Sequence, residues 1–150
     1  MTDSSQTSPY TCFIPFHLTD AAGILFFGHV FTLAHQAFEH FVIHQLECPW
    51  SHWFQNPGWI VPIKHAEAQY FHPLHAGLEC QIEILVTALT TSSFTLNSSF
   101  YQQKLCCVVK TVHVFCNHLT KQKMPIPQSI LIPLQRTVWT EAKAPAVQRS

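Results

Sequence analysis

The run HVFTLAHQAFEHFVIHQL, residues 29–46, decides the fold. Val30, Leu33, Ala34, Ala37, Phe38, Phe41, Val42 and Leu46 recur at steps of three and four, so a helix gathers them on one face. His35, Gln36, Glu39, His40 and Gln45 mostly take the other side. An apolar stripe of this width needs a sheet to cover it. Upstream, Tyr10–Phe16 (YTCFIPF) has strand composition, with Pro15 marking an edge or a strand end. Downstream, residues 47–59 break the helical period with Pro49, Pro57 and Gly58 and are expected to form a loop. Trp59–Phe71 then forms a candidate strand, closed by the turn at residues 72–77. Glu79–Thr90 alternates through Ile82, Ile84, Val86 and Ala88, and Ser93–Gln102 through Phe94, Leu96 and Phe100. Leu105–Cys116 is the long β-branched run of a buried strand. One strand, one long helix and four further strands predict an α+β domain, an antiparallel sheet packed on a central helix.

Composition narrows the function. The chain has 150 residues, of which 47% are hydrophobic and only 11% charged, less than half the usual ~25%. That excludes disorder of the whole chain and fits one domain. Eight Lys+Arg against eight Asp+Glu leave no basic excess to neutralise phosphates, so a nucleic-acid partner is not expected. So little charge beside so many aromatics suggests apolar surface hidden between subunits. The polar N-terminus lacks the features of a signal peptide. The longest apolar run, Ala21–Phe27, is far short of the ~20 residues that cross a bilayer. A cytoplasmic protein is expected, with Cys12, Cys48, Cys80, Cys106, Cys107 and Cys116 reduced and structural.

Asp20 stands out chemically. It lies in an apolar setting, FHLTDAAGILFF, just ahead of the helix start. The unpaired N–H groups and positive dipole of a first helical turn suit a developing oxyanion. A carboxylate beside them suits acyl transfer, either by activating water or by direct attack. On spacing alone, Asp20 reads more readily as a turn residue that caps nearby backbone N–H groups.

The segment Asp20-Ala-Ala-Gly-Ile-Leu-Phe-Phe-Gly-His29 resembles the D-x-x-G signature of hotdog-fold thioesterases of the 4-hydroxybenzoyl-CoA thioesterase type. The similarity continues through Ala34–Glu39, through VPIKHAEAQYFHPLHAG at residues 61–77, through Ser93–Leu96, and into Val112–Phe115 and Pro125–Pro127. The Pro-x-x-His-Ala segment and the Phe-x-Pro-Leu turn are most similar to the 1,4-dihydroxy-2-naphthoyl-CoA thioesterases of phylloquinone and menaquinone synthesis. The resemblance implies a hotdog domain over residues 10–128; residues 1–9 read as a flexible arm, and the three prolines of MPIPQSILIPLQ after Lys123 (Pro125, Pro127 and Pro133) predict an extended tail at 129–150. It also implies homodimers that pair into a tetramer, with active sites at the dimer interface, an acyl-CoA substrate and no cofactor. By the same resemblance Asp20 is the catalytic acid and the Phe27 backbone N–H the oxyanion donor. Gly23, Ile24, Gly28 and His29 border the thioester, and His65 lies on a strand near the acyl pocket. Three positions depart from the pattern: Leu18 replaces a frequent second Asp, His29-Val30 replaces Asn-Tyr, and Gly77-Leu78 replaces Gly-Asp.

Other chemistry has weaker support. His40 and His44 are spaced like a zinc pair but lack a third ligand, and His72-x-x-His75 lies in a turn, so no metal is expected. Glu39 and Glu67 are alternative acids, and Lys121 with Lys123 forms the tight basic pair for CoA phosphates. A non-catalytic acyl-binding protein and an acyl-carrier-protein thioesterase are the competing functions.

Overall fold

The computed structural model describes residues 9–138. Strands β1 (Tyr10–Phe13), β3 (Ile63–Tyr70), β4 (Glu79–Leu89), β5 (Ser93–Gln102) and β6 (Lys104–Val114) form one antiparallel sheet in the order β1-β4-β5-β6-β3. Helix α1 (His29–His44) lies against it and buries the stripe expected from the sequence: Val30, Leu33, Ala34, Ala37, Phe38, Phe41 and Val42. From the sheet, Ile82, Ile84, Val86, Phe94, Leu96, Phe100, Cys107 and Val109 close over these residues. Each fully buried large side chain contributes about 1.5–3 kcal/mol relative to exposure. This is the α+β wrap of the hotdog fold.

Three local expectations are corrected. Trp59–Phe71 is two strands, because Pro62 cannot donate to a ladder. β2 (Trp59–Ile60) pairs with β7 (Cys116–Asn117), while β3 starts at Ile63 and pairs with β6. The expected loop at 47–59 contains helix α2 (Trp50–Phe54), fixed by the buried Trp53, whose ring meets Phe38, Phe94 and Phe115. The tail beyond residue 128 is not extended where it is described. Gln128–Thr137 forms helix α3, which buries Ile130 and Leu134 and tolerates Pro133 inside it. Residues 1–8 of the expected arm and the tail beyond 138 lie outside the described residues.

The edge strand β3 decides what faces the helix. A register shift between Ile63 and His65 inserts one residue, so Ile63 opposes His113 but Ala66, Ala68 and Tyr70 oppose Thr111, Val109 and Cys107. Those residues face α1. His65 and Glu67, opposite Val112 and Lys110, face the other way. Nearly all of β3 is exposed, on both faces.

Candidate active site

The loop between β1 and α1 is a small ladder. Phe26 N–H bonds to Leu18 C=O at 3.0 Å, Thr19 bridges Leu25, and Asp20 N–H bonds to Ile24 C=O at 2.9 Å. The Asp20–Gly23 turn at its tip closes with Gly23 N–H on Asp20 C=O at 3.0 Å, and Gly23 has φ +78°, where a Cβ is strained. Leu18 contributes here through its backbone, so the side chain that departs from the family pattern is immaterial to the strap. A second strap joins the loop to the turn after β3: Leu25 N–H donates to Leu74 C=O at 2.8 Å, and Ile24 bridges His75. Gln102 holds that turn, its side chain accepting from His75 N–H at 2.8 Å and donating to His75 C=O at 2.9 Å.

Asp20 is exposed, and its Oδ1 accepts the Ala22 N–H at 2.8 Å. The turn-capping role considered for it is therefore present, with Oδ2 left over for other work. The Phe26 carbonyl accepts the His29 N–H at 3.0 Å. In a trans peptide the N–H points opposite to the C=O, so the Phe27 N–H faces away from the turn, and it has no acceptor among the described residues. Two rungs of the loop ladder separate the Asp20 backbone from Phe26, roughly 7 Å at strand spacing. Helix α1 starts at His29, two residues after Phe27, with Gly28 as N-cap, no side-chain cap and no acid in its first turn. Its positive end is thus uncompensated by side chains. A Cβ on Gly28 would lie 3.3 Å from the Phe26 ring, which also packs edge-on against His29 at 5.6 Å. The structure therefore brings Asp20, Gly23, Ile24, Phe27, Gly28 and His29 together on one strapped loop.

His65 is not with them. It points to the sheet face away from α1, with Nε2 3.0 Å from Glu67 Oε2. That contact, with Lys110 behind it, lowers the Glu67 pKa. Glu39, the other alternative acid, accepts a hydrogen bond from Trp50 Nε1 at 3.0 Å. Among the described residues no three His, Cys, Asp or Glu side chains form a metal-binding group. Lys121 donates to the His118 carbonyl in the turn beyond β7, at the opposite end of β3 from Tyr70.

Two adjoining cavities lie along α1. One, of about 150 Å³, is walled by Phe31, Ala34, Ile63, Ala66, Ser98 and Thr111. The other, of about 440 Å³, extends to α2 and Trp59, and His35, Phe38, Ile63 and His113 border both. His113 stacks on Phe94 at 4.7 Å and 4°, and its Nε2 meets Thr111 Oγ1 at 2.9 Å. Burial, then the charge of nearby His35, pushes its pKa down to about 3, so the ring is neutral. No Asp, Glu, Lys or Arg lines either cavity. Sequence reasoning missed His113 and Gln102, for which no local pattern gives a signal.

A five-stranded antiparallel sheet wrapped on one long helix, with an acid-bearing loop at the helix start, defines a hotdog-fold protein with an acyl-transfer type of site. A sequence profile of the Thioesterase-like superfamily matches residues 14–134, and the chain belongs to that family. It is 32% identical over 123 residues to a 1,4-dihydroxy-2-naphthoyl-CoA hydrolase of Microcystis aeruginosa, covering 81% of this chain and 88% of that protein. It is 31% identical over 114 residues to the protein of the same name from Thermosynechococcus vestitus, covering 75% and 77% of the two chains. Among solved structures, a gentisyl-coenzyme A thioesterase superposes with a TM-score of 0.75 at 26% identity over 84% of this chain and 98% of that one. A 1,4-dihydroxy-2-naphthoyl-CoA thioesterase from Synechocystis superposes at 0.77 with 21% identity, over 85% and 94%, which concerns the fold. Among the described residues no helix is long and apolar enough to cross a membrane.

Proposed function

We propose that the protein hydrolyses an aromatic acyl-CoA of the 1,4-dihydroxy-2-naphthoyl type to the free acid and CoA. The observation that carries this reading is the Phe27 N–H, without an acceptor among the described residues, on the same strapped loop as Asp20. The thioester oxygen bonds to that N–H, and Asp20 attacks the carbonyl carbon or directs water onto it. The C–S bond breaks, CoA leaves as the thiol, and water supplies the oxygen of the acid. Gly23, Ile24, Gly28 and His29 border the reacting carbonyl. The names of the curated relatives and the uncharged, aromatic cavities support a flat, neutral acyl group.

The reacting unit in this proposal is a homodimer, paired further into a tetramer. β3 is a sheet edge exposed on both faces, and such an edge is a template for pairing. Its eight residues separate Tyr70 from Ile63 by about 23 Å. A two-fold axis that pairs β3 with its copy reverses the strand, carrying one subunit's loop toward the other's cavities. The described cysteines are all unpaired, which fits a reducing compartment, and we place the protein in the cytoplasm.

The test is thiol release over a panel of aromatic and aliphatic acyl-CoAs and one acyl-carrier-protein thioester. Preference for hydroxylated bicyclic aromatic acyl groups on CoA is expected. Preference for short aliphatic chains refutes the naphthoyl reading. Thermal stabilisation by acyl-CoA without thiol release favours a binding protein, in which Asp20 only closes its turn.

A further inference from the structure

We infer that Tyr70 is a positioning residue of the oxyanion site, acting through the Phe27 carbonyl that its hydroxyl holds at 2.6 Å. The inference rests on the hydrolase reading and concerns a residue to which that reading gives no part. Phe27 is poorly held by packing: its side chain is 62% exposed and touches the Phe26 ring, itself 43% exposed. The helix does not hold its carbonyl either. In a regular α-helix the Phe27 C=O would accept from Phe31 N–H, but that N–H reaches Gly28 C=O, at a long 3.4 Å.

What fixes Phe27 is one hydrogen bond on each side of it. The preceding peptide is held through the Phe26 carbonyl by His29, and the following peptide through the Phe27 carbonyl by Tyr70. The first bond sets the plane that contains the Phe27 N–H. The second sets the Phe27–Gly28 peptide and ties it, across 43 residues of sequence, to the edge strand. At 2.6 Å the contact is at the short end of the O–H···O range. Tyr70 is itself anchored, since its strand pairs with β6 up to Tyr70 opposite Cys107, and the Phe71 and His72 N–H groups both bond to Cys106 C=O. Partial burial, then Cys107, raises the phenol pKa, which keeps the donor proton in place across the neutral range. An oxyanion donor works by being oriented before charge develops. Without the hydroxyl, the Phe27–Gly28 peptide loses its one tie outside the loop and helix among the described residues, and the donor before it gains freedom to turn.

Tyr70→Phe keeps the ring and removes the hydroxyl. Deleting a whole oxyanion donor costs about 10²–10³ in kcat, and loosening one while keeping it should cost less, about tenfold. The expected result is a tenfold fall in kcat with KM changed less than threefold, a melting temperature lowered by no more than about 4 °C, and a shifted Phe27 amide resonance by ¹⁵N NMR. Unchanged kcat overturns the proposal. So does a loss that appears in KM and melting temperature together with an unmoved Phe27 amide, which marks a purely structural tyrosine. If the wild-type protein releases no thiol from any acyl-CoA, the hydrolase reading fails. The Phe27 amide then decides the positioning claim, and an unmoved amide overturns it.

Discussion

Asp20→Asn separates the two tasks that the structure gives to one carboxylate. Oδ1 closes the turn on Ala22 N–H at 2.8 Å, and an asparagine carbonyl accepts that same bond. Because Asp20 is exposed, exchanging a charged for a neutral acceptor should change stability by less than about 1 kcal/mol. For a chain of 150 residues that corresponds to a melting shift of at most about 2–4 °C. The proposed chemistry has no such tolerance, since an amide neither attacks a thioester nor takes a proton from water. General acid–base groups contribute about 10²–10⁴ in rate, so kcat should fall at least a hundredfold. Asp20→Ala provides the second arm. It loses the carboxylate and the turn bond together, so its rate should match that of Asp20→Asn while its stability falls by about 1 kcal/mol more. Thiol release followed with a disulfide chromophore, beside melting curves of both variants, reads the two effects separately. If Asp20→Asn keeps more than a tenth of wild-type kcat while Asp20→Ala does not, Asp20 is a turn residue and the mechanism is wrong.

Gly23→Ala should cost about 1–2 kcal/mol, the penalty of a left-handed residue. The position has φ +78° and no atom within 4 Å of where the alanine methyl would sit, so the cost is conformational rather than steric. Turnover should fall with it as the Asp20 turn distorts, and an unchanged melting curve contradicts the strain argument. His113 predicts an acid limb in stability. Its pKa lies near 6.5 in the unfolded chain and at about 3 in the native one, so below pH 6.5 the unfolded state binds the extra proton. Stability is complete above about pH 6.5 and is lost toward pH 3, at up to about 1.4 kcal/mol per pH unit. His113→Leu should flatten that limb in denaturant titrations, and an identical pH dependence in the variant refutes the assignment.

Residues whose surroundings are local were legible in the sequence. The α1 stripe follows from periodicity alone, and β5 runs over Ser93–Gln102 as alternation indicates. Prolines misled at two places. Pro49 and Pro127 read as breakers but act as the N-caps of α2 and α3, where a missing N–H leaves no helical bond unmade. Pro133 survives inside α3 because Ile130 and Leu134 beside it are buried. His65 failed for a different reason. Strict alternation would put it on the face of Ile63, but the extra residue between them turns His65 outward and Ala66 inward. Tyr70 and Gln102 meet their partners across 43 and 27 residues of sequence, and only the sheet register brings them together.

The low charge of the chain acquires a structural meaning from where the uncharged surfaces lie. The Asp20 loop is held by three different elements: Leu18 of the preceding turn, Leu74 of the turn after β3, and Tyr70 of β3 itself. Around it Phe16, Phe26, Phe27, Tyr70 and Phe71 remain exposed, a concentration of rings that water does not favour. The cavities suited to a flat acyl group border α1, Ile63 and His113, toward the other end of the same edge strand. Within one chain the proposed reacting atoms and the larger cavity are thus separated along most of β3. An antiparallel pairing of two β3 edges removes that separation and covers the strand in one step. In the homodimer proposed above a second copy would complete the site, and the sparse charge and the exposed rings would both serve that pairing.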